Sequence, residues 1–179
     1  MIQAIETIYR GYRFRSRLEA RWAVFFTTAG VAFQYEPEGF RLPSGWYLPD
    51  FFLPTFTAYL EVKPLPSPLV SMAEQQIIFN RLEPEEEGWL ESVIPKLPEI
   101  LPREVRLGCE LVAHSSRDTS FVVVYGDPRD VVDDNNSICI DWTCPGVHAS
   151  IGFLDRIPFS LYDAADAARQ ARFEHGENP

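Results

Sequence analysis

The stretch "YLPDFFLPTFTAYLEVKP" (residues 47–64) sets three charged side chains, Asp50, Glu61 and Lys63, among apolar and aromatic residues. Pro54 divides it into two short apolar runs, and Pro64 stops the second, which reads as a strand from Thr57 to Val62. In a strand, residues two apart share a face, so Glu61 and Lys63 project together while Leu60 and Val62 point to the other side, into a core. If the two strands pair, Asp50 and Glu61 converge. Adjacent carboxylates repel unless a cation sits between them, and hard divalent cations such as Mg2+ take oxygen ligands of this kind. A lysine beside them can orient a water or neutralise developing negative charge. The plainer reading of Glu61 and Lys63 is a surface salt bridge, but it leaves the apolar setting unexplained.

Upstream, Phe40 to Pro54 reads as a hairpin with Pro43-Ser44-Gly45 in its turn, and Val31 to Tyr35 as a further strand. Residues 1–15 form a short strand or arm. Ser16 opens a helix in which Leu18, Trp22, Phe25, Phe26 and Ala29 recur at helical spacing, and Gly30 closes it. Glu19 has two competing roles there. Ser16-Arg17-Leu18-Glu19 matches the capping box S-x-x-E, in which the glutamate turns back to the helix start. Glu19 also flanks the packed stripe and can look toward the sheet.

Downstream, Leu69 to Leu82 suggests a helix, 83–91 an acidic surface, and Pro95, Pro98 and Pro102 an irregular arm. Val105 to Ala113 and Phe121 to Tyr125 read as strands, the second fully buried. Gly126-Asp127-Pro128 is a turn, Ile138 to Trp142 and His148 to Phe153 a small hairpin, and Leu161 to Phe173 an alanine-rich closing helix. This order predicts an α/β fold, a central mixed β-sheet flanked by helices, in one domain over 1–179 with an insertion or irregular arm about 65–118.

Composition supports a globular chain, 46% hydrophobic and 23% charged. No apolar run reaches the length of a membrane span, and the N-terminus lacks the basic-then-apolar order of a signal peptide, so the expected location is cytoplasmic, without a membrane partner. Cys109, Cys139 and Cys144 are odd in number and read as free thiols. Cys139, Cys144 and His148 lack the C-x2-C knuckle of structural zinc sites. The net charge of −10 excludes a general nucleic-acid-coating protein. The charge is uneven: residues 1–35 hold Arg10, Arg13, Arg15, Arg17 and Arg21 against Glu6 and Glu19, a balance of +3, leaving −13 for the rest.

Glu19, Pro49-Asp50 and Glu61-Val62-Lys63 together resemble the PD-(D/E)XK nuclease superfamily. The spacing E-x30-D-x10-E-x-K is similar to that of archaeal Holliday-junction resolvases and of transposon end-cleaving subunits. Residues 9 to 54 also look like small nuclease-like proteins of phages and actinobacteria, as does "ARFEHGE" near the C-terminus. The resemblance implies a restriction-endonuclease-like core and a cytoplasmic, Mg2+- or Mn2+-dependent endonuclease hydrolysing DNA. It implies Asp50, Glu61 and the Val62 backbone carbonyl as metal ligands, Lys63 positioning the attacking water, and Glu19 holding a second metal or an outer water. Arg13, Arg15, Arg17, Arg169 and Arg172 would then bind DNA phosphates, although a solvated helix face explains the last two equally well. A homodimer fits two-strand cutting. The alternative is a catalytically silent nuclease-like module of a phage or mobile element, docking a protein partner on its acidic surface.

Overall fold

The computed structural model describes residues 5–64, 103–114, 119–132, 142–143 and 160–173. Its elements run in chain order β1 (Thr7–Tyr9), β2 (Tyr12–Phe14), α1 (Arg17–Thr28), β3 (Gln34–Tyr35), β4 (Phe40–Leu42), β5 (Gly45–Tyr47), β6 (Phe51–Leu53), a 3-10 turn (Pro54–Phe56), β7 (Ala58–Lys63), α2 (Arg103–His114), β8 (Ser120–Tyr125), α3 (Pro128–Val131), β9 (Trp142–Thr143) and α4 (Leu161–Gln170). Among the described residues, five strands form a sheet in the order β3-β6-β7-β8-β9. β7 and β8 are parallel and the other pairs antiparallel, so the sheet is mixed and the expected α/β class holds.

Both faces of the central strands are covered, which is why β7 and β8 are almost continuously buried and apolar. Leu60, Val62, Val122 and Val124 join Phe51, Leu53 and the buried face of α1 and α4 in one core. On the opposite face, Phe121 packs on α2 where Gly108 offers no side chain, so the ring lies directly against the helix backbone. α1 is the most buried helix. Trp22, Phe25 and Phe26 stack edge-to-face or tilted on one another, and the Trp22 indole donates to the Gly126 carbonyl at 3.1 Å. α1 stops as its sequence dictates: Gly30 adopts a positive φ of 70°, a conformation in which glycine carries no Cβ penalty.

Several sequence readings meet the structure directly. The turn Pro43-Ser44 does join β4 and β5, and the pairs Phe51 with Leu60 and Leu53 with Ala58 join the two strands of the opening stretch. Val105 to Ala113 is a correction: it lies in helix α2, not a strand. Leu107 and Leu111, both fully buried, are four apart and form one helical stripe, whereas strand alternation would put them on one face with Cys109. α2 also places order within 103–114, inside the segment expected to be irregular. The strand read from Val31 is formed only at Gln34–Tyr35, and the closing helix ends at Gln170 rather than Phe173. The helix over 69–82 and most of the hairpin over 138–153 fall outside the described residues, as do Cys139, Cys144 and His148.

Candidate active site

Extending the β6–β7 register by one position sets Asp50 opposite Glu61. The antiparallel pairing therefore turns the two carboxylates to the same face, and Lys63, two residues on, joins them. Asp50 and Glu61 are almost fully buried, at 3% and 4% exposure. They line a cavity of about 440 Å³ together with Arg15, Glu19, Trp46, Tyr47, Leu48, Val62, Lys63 and Arg103. The residues that the sequence spacing singled out are thus brought to one cleft at the end of β7.

Each carboxylate is held by named donors. Asp50 Oδ2 accepts from the Val62 backbone N–H at 2.8 Å, and Asp50 Oδ1 meets Arg15 Nη2 at 2.8 Å. Glu61 Oε1 pairs with Lys63 Nζ at 2.6 Å, and Glu61 Oε2 accepts from the Tyr47 hydroxyl at 2.9 Å. Burial and the neighbouring Glu61 charge push the Asp50 carboxyl up to about 8, with the Val62 N–H and Lys63 working against them. Glu19 adds a smaller push in the same direction.

The two roles weighed for Glu19 coexist. It faces the cavity, yet Ser16 Oγ donates to its Oε1 at 2.8 Å, and the Arg15 N–H and Tyr35 hydroxyl donate to its Oε2 at 3.0 and 2.5 Å. The Glu19 N–H returns a bond to Ser16 Oγ at 3.2 Å, so the first turn of α1 is capped reciprocally. Burial and the bond to Glu19 raise the Tyr35 phenol, which keeps it a proton donor.

Arg15, expected as a phosphate contact, lines the carboxylate cleft. Besides Asp50, its Nε lies 2.6 Å from Glu36 Oε1, a charge contact rather than a directed hydrogen bond. Arg13 is an exposed partner of Glu6. Arg17, Arg169 and Arg172 stand together elsewhere, in a second cavity with Arg21. Sequence reasoning missed Tyr47, Trp46 and Arg103 as cleft residues. Tyr47 lies in the separate β4–β5 hairpin, and its bond to Glu61 is visible only once that hairpin is folded over the sheet. Arg103 reaches the Trp46 carbonyl at 3.5 Å and belongs to the helix taken for a strand.

The donor set fits a hard divalent cation. Among the described residues no three His, Cys, Asp or Glu side chains converge as ligands, so a cation here would rest on two carboxylates and other oxygens. Mg2+ is held in this way, by one or two carboxylates with waters and substrate oxygens. The Val62 carbonyl is suited to join them. Its N–H is turned toward the β6 side, where Asp50 takes it, and the register places Pro49, which has no N–H to donate, opposite. Comparisons with protein-family models, with curated proteins and with solved structures give no match to this chain.

Proposed function

We propose that the cleft hydrolyses DNA phosphodiester bonds as a metal-dependent endonuclease of the PD-(D/E)XK kind, on a restriction-endonuclease-like core. One observation carries the reading: two buried carboxylates on facing strand positions line an open cavity with a lysine two residues from one of them. Burial and Glu61 raise Asp50 to about 8 even with Arg15 and Lys63 beside the pair, and a divalent ion would relieve that remaining repulsion. Asp50, Glu61 and the Val62 carbonyl would hold Mg2+ or Mn2+, which supplies Lewis acidity at the scissile phosphate and lowers the pKa of water.

The chain's own groups have distinct tasks. Lys63, two-thirds buried beside Glu61, carries positive charge to the nucleophile side and stabilises charge developing on the phosphate. Tyr47 fixes the Glu61 carboxylate through Oε2. Arg15, bridging Asp50 and Glu36, holds the Asp50 carboxylate until a cation or a phosphate competes for one of its charges. Glu19 holds the first turn of α1 against the cleft and leaves its charge near Asp50.

The test is plasmid nicking with Mg2+ or Mn2+ by wild type, Asp50→Ala and Lys63→Ala. Loss of about 10²–10³-fold or more in each variant is expected, the size of removing one charge-stabilising group. Equal cleavage by all three proteins overturns the assignment. A second reading, a silent nuclease-like binding module, is favoured by a specific observation: Arg15 and Lys63 already neutralise Asp50 and Glu61 within 3 Å. It predicts that no divalent ion binds at those two acids.

A further inference from the structure

A second cavity, about 480 Å³, is lined by Arg17, Arg21, Arg169, Gln170, Ala171, Arg172 and Phe173. It lies where the start of α1 meets the end of α4, two helices packed along each other. Arg17 and Arg21 are four apart and share one face of α1. Arg169 ends α4 and Arg172 follows it. Four guanidinium groups thus enter one cavity from two elements, on a chain whose net charge is −10.

Ordinary helix electrostatics explains only part of this. A cation in the last turn of α4 complements the negative end of its dipole, which accounts for Arg169. Asp127 divides its carboxylate: Oδ1 caps α3 through the Arg129 N–H at 2.9 Å, and Oδ2 accepts from Arg21 Nη1 at 3.4 Å. The Arg21 Nε is buried without a hydrogen-bond acceptor among the described residues. A buried donor of a charged group is unfavourable in that state. The ring of Phe173, set edge-on to Tyr9 at 6.4 Å, closes one side of the cavity. The volume lies within the range of about 300–1,000 Å³ typical of ligand sites.

We infer that this pocket binds a phosphate group, carried on a polynucleotide strand, at a site separate from the carboxylate cleft. The planar arginine fork pairs two N–H donors with two phosphate oxygens, and four such forks surround the cavity. The phosphate chemistry stands on the arginines alone. Naming a polynucleotide as its bearer rests on the reading proposed above, and is favoured because Arg17 lies between the cleft residues Arg15 and Glu19 in sequence, so one strand can meet both sites.

The test is a fluorescence-anisotropy titration of a labelled single-stranded oligonucleotide with the full chain in EDTA, where cleavage is stopped. Arg21→Gln, Arg169→Gln and Arg172→Gln are each expected to weaken binding at least fivefold. Each should also flatten the log–log salt dependence by about 0.7, the loss of one phosphate contact. Inorganic phosphate at millimolar concentration should displace the strand from wild type and not from Arg169→Gln. Arginine-dependent binding by a protein that does not nick plasmid separates failure of the nuclease reading from failure of this site. Unchanged binding in the exposed variant Arg169→Gln overturns the inference. So does arginine-dependent binding to phosphatidic-acid vesicles without binding to the oligonucleotide.

Discussion

The two cavities beside α1 differ in how their charges are matched. In the carboxylate cleft, Asp50 and Glu61 each have a cation within 3 Å, supplied by Arg15 and Lys63. In the arginine pocket, Arg21 pairs with Asp127 Oδ2 at 3.4 Å, while Oδ1 of the same carboxylate caps α3. The start of α1 feeds both: Arg15 and Glu19 line one, Arg17 and Arg21 the other. A single helix therefore separates a pocket of acids from a pocket of bases. The difference teaches that local pairing, rather than net charge, decides what each surface can recruit. On the function proposed above, the acidic side would exchange its internal cations for a metal, and on the further inference the basic side would gain an anion.

The comparison breaks most completely if α1 loses its anchor. Trp22 is fully buried and bonded to Gly126 at the end of β8. Trp22→Ala should cost about 3–5 kcal/mol in urea denaturation, a large share of the stability of a domain this size. Oligonucleotide binding, which uses Arg17 and Arg21 of α1, should then fall further than divalent-ion binding, whose ligands lie on the β6–β7 pair. Full-strength oligonucleotide binding in the variant would mean that the arginine pocket is not built from α1.

A smaller effect sharpens the acidic side alone. The folded Asp50 carboxyl titrates at about 8, far above the value near 3.9 of an unfolded chain. The stability conferred by its protonated form is fully present below about pH 4 and is lost as pH rises through about 8. Asp50→Asn keeps an acceptor for the Val62 N–H and has nothing to ionise. In EDTA it should melt several degrees above wild type at pH 8, with the gap closing toward pH 4. Parallel melting curves for the two proteins across that range would contradict the assignment of strain to Asp50.

Smaller again is Tyr47→Phe, which removes one hydroxyl from Glu61 Oε2. A loss of about tenfold in nicking rate is expected, equivalent to a hydrogen bond to a charged group of about 1.5 kcal/mol. Oligonucleotide affinity should stay within twofold. An equal fall in both would assign Tyr47 a general structural role instead of a role in the cleft.

The parts of this design visible in the sequence are those that depend on neighbours in the chain. The period-two placement of Glu61 and Lys63, the proline-delimited pairing with Asp50, the Ser16 cap and the Gly30 stop are all local, and the folded chain keeps each of them. α2 is hard to read in "VRLGCELVA" because Gly108 interrupts a short apolar run that Val105 and Val112 bracket. Its true period shows in Leu107 and Leu111, and its packing depends on Gly108 meeting Phe121, a contact from another element. Arg15 on Asp50 and Tyr47 on Glu61 join residues 35 and 14 apart in the chain, and no local pattern announces them. The arginine pocket was half legible. Arg17, Arg169 and Arg172 stood out as basic residues, but their convergence with Arg21 exists only because α4 packs on α1.

Asp50 and Glu61 are the proposed ligands of a cation. Calorimetric titration of Mn2+ into the full chain at pH 8 tests this proposal most directly. One ion per chain should bind wild type, binding should disappear in Asp50→Ala and in Glu61→Gln, and Arg169→Gln should retain it. Absence of binding by wild type, or binding undiminished in Asp50→Ala, would contradict the claim.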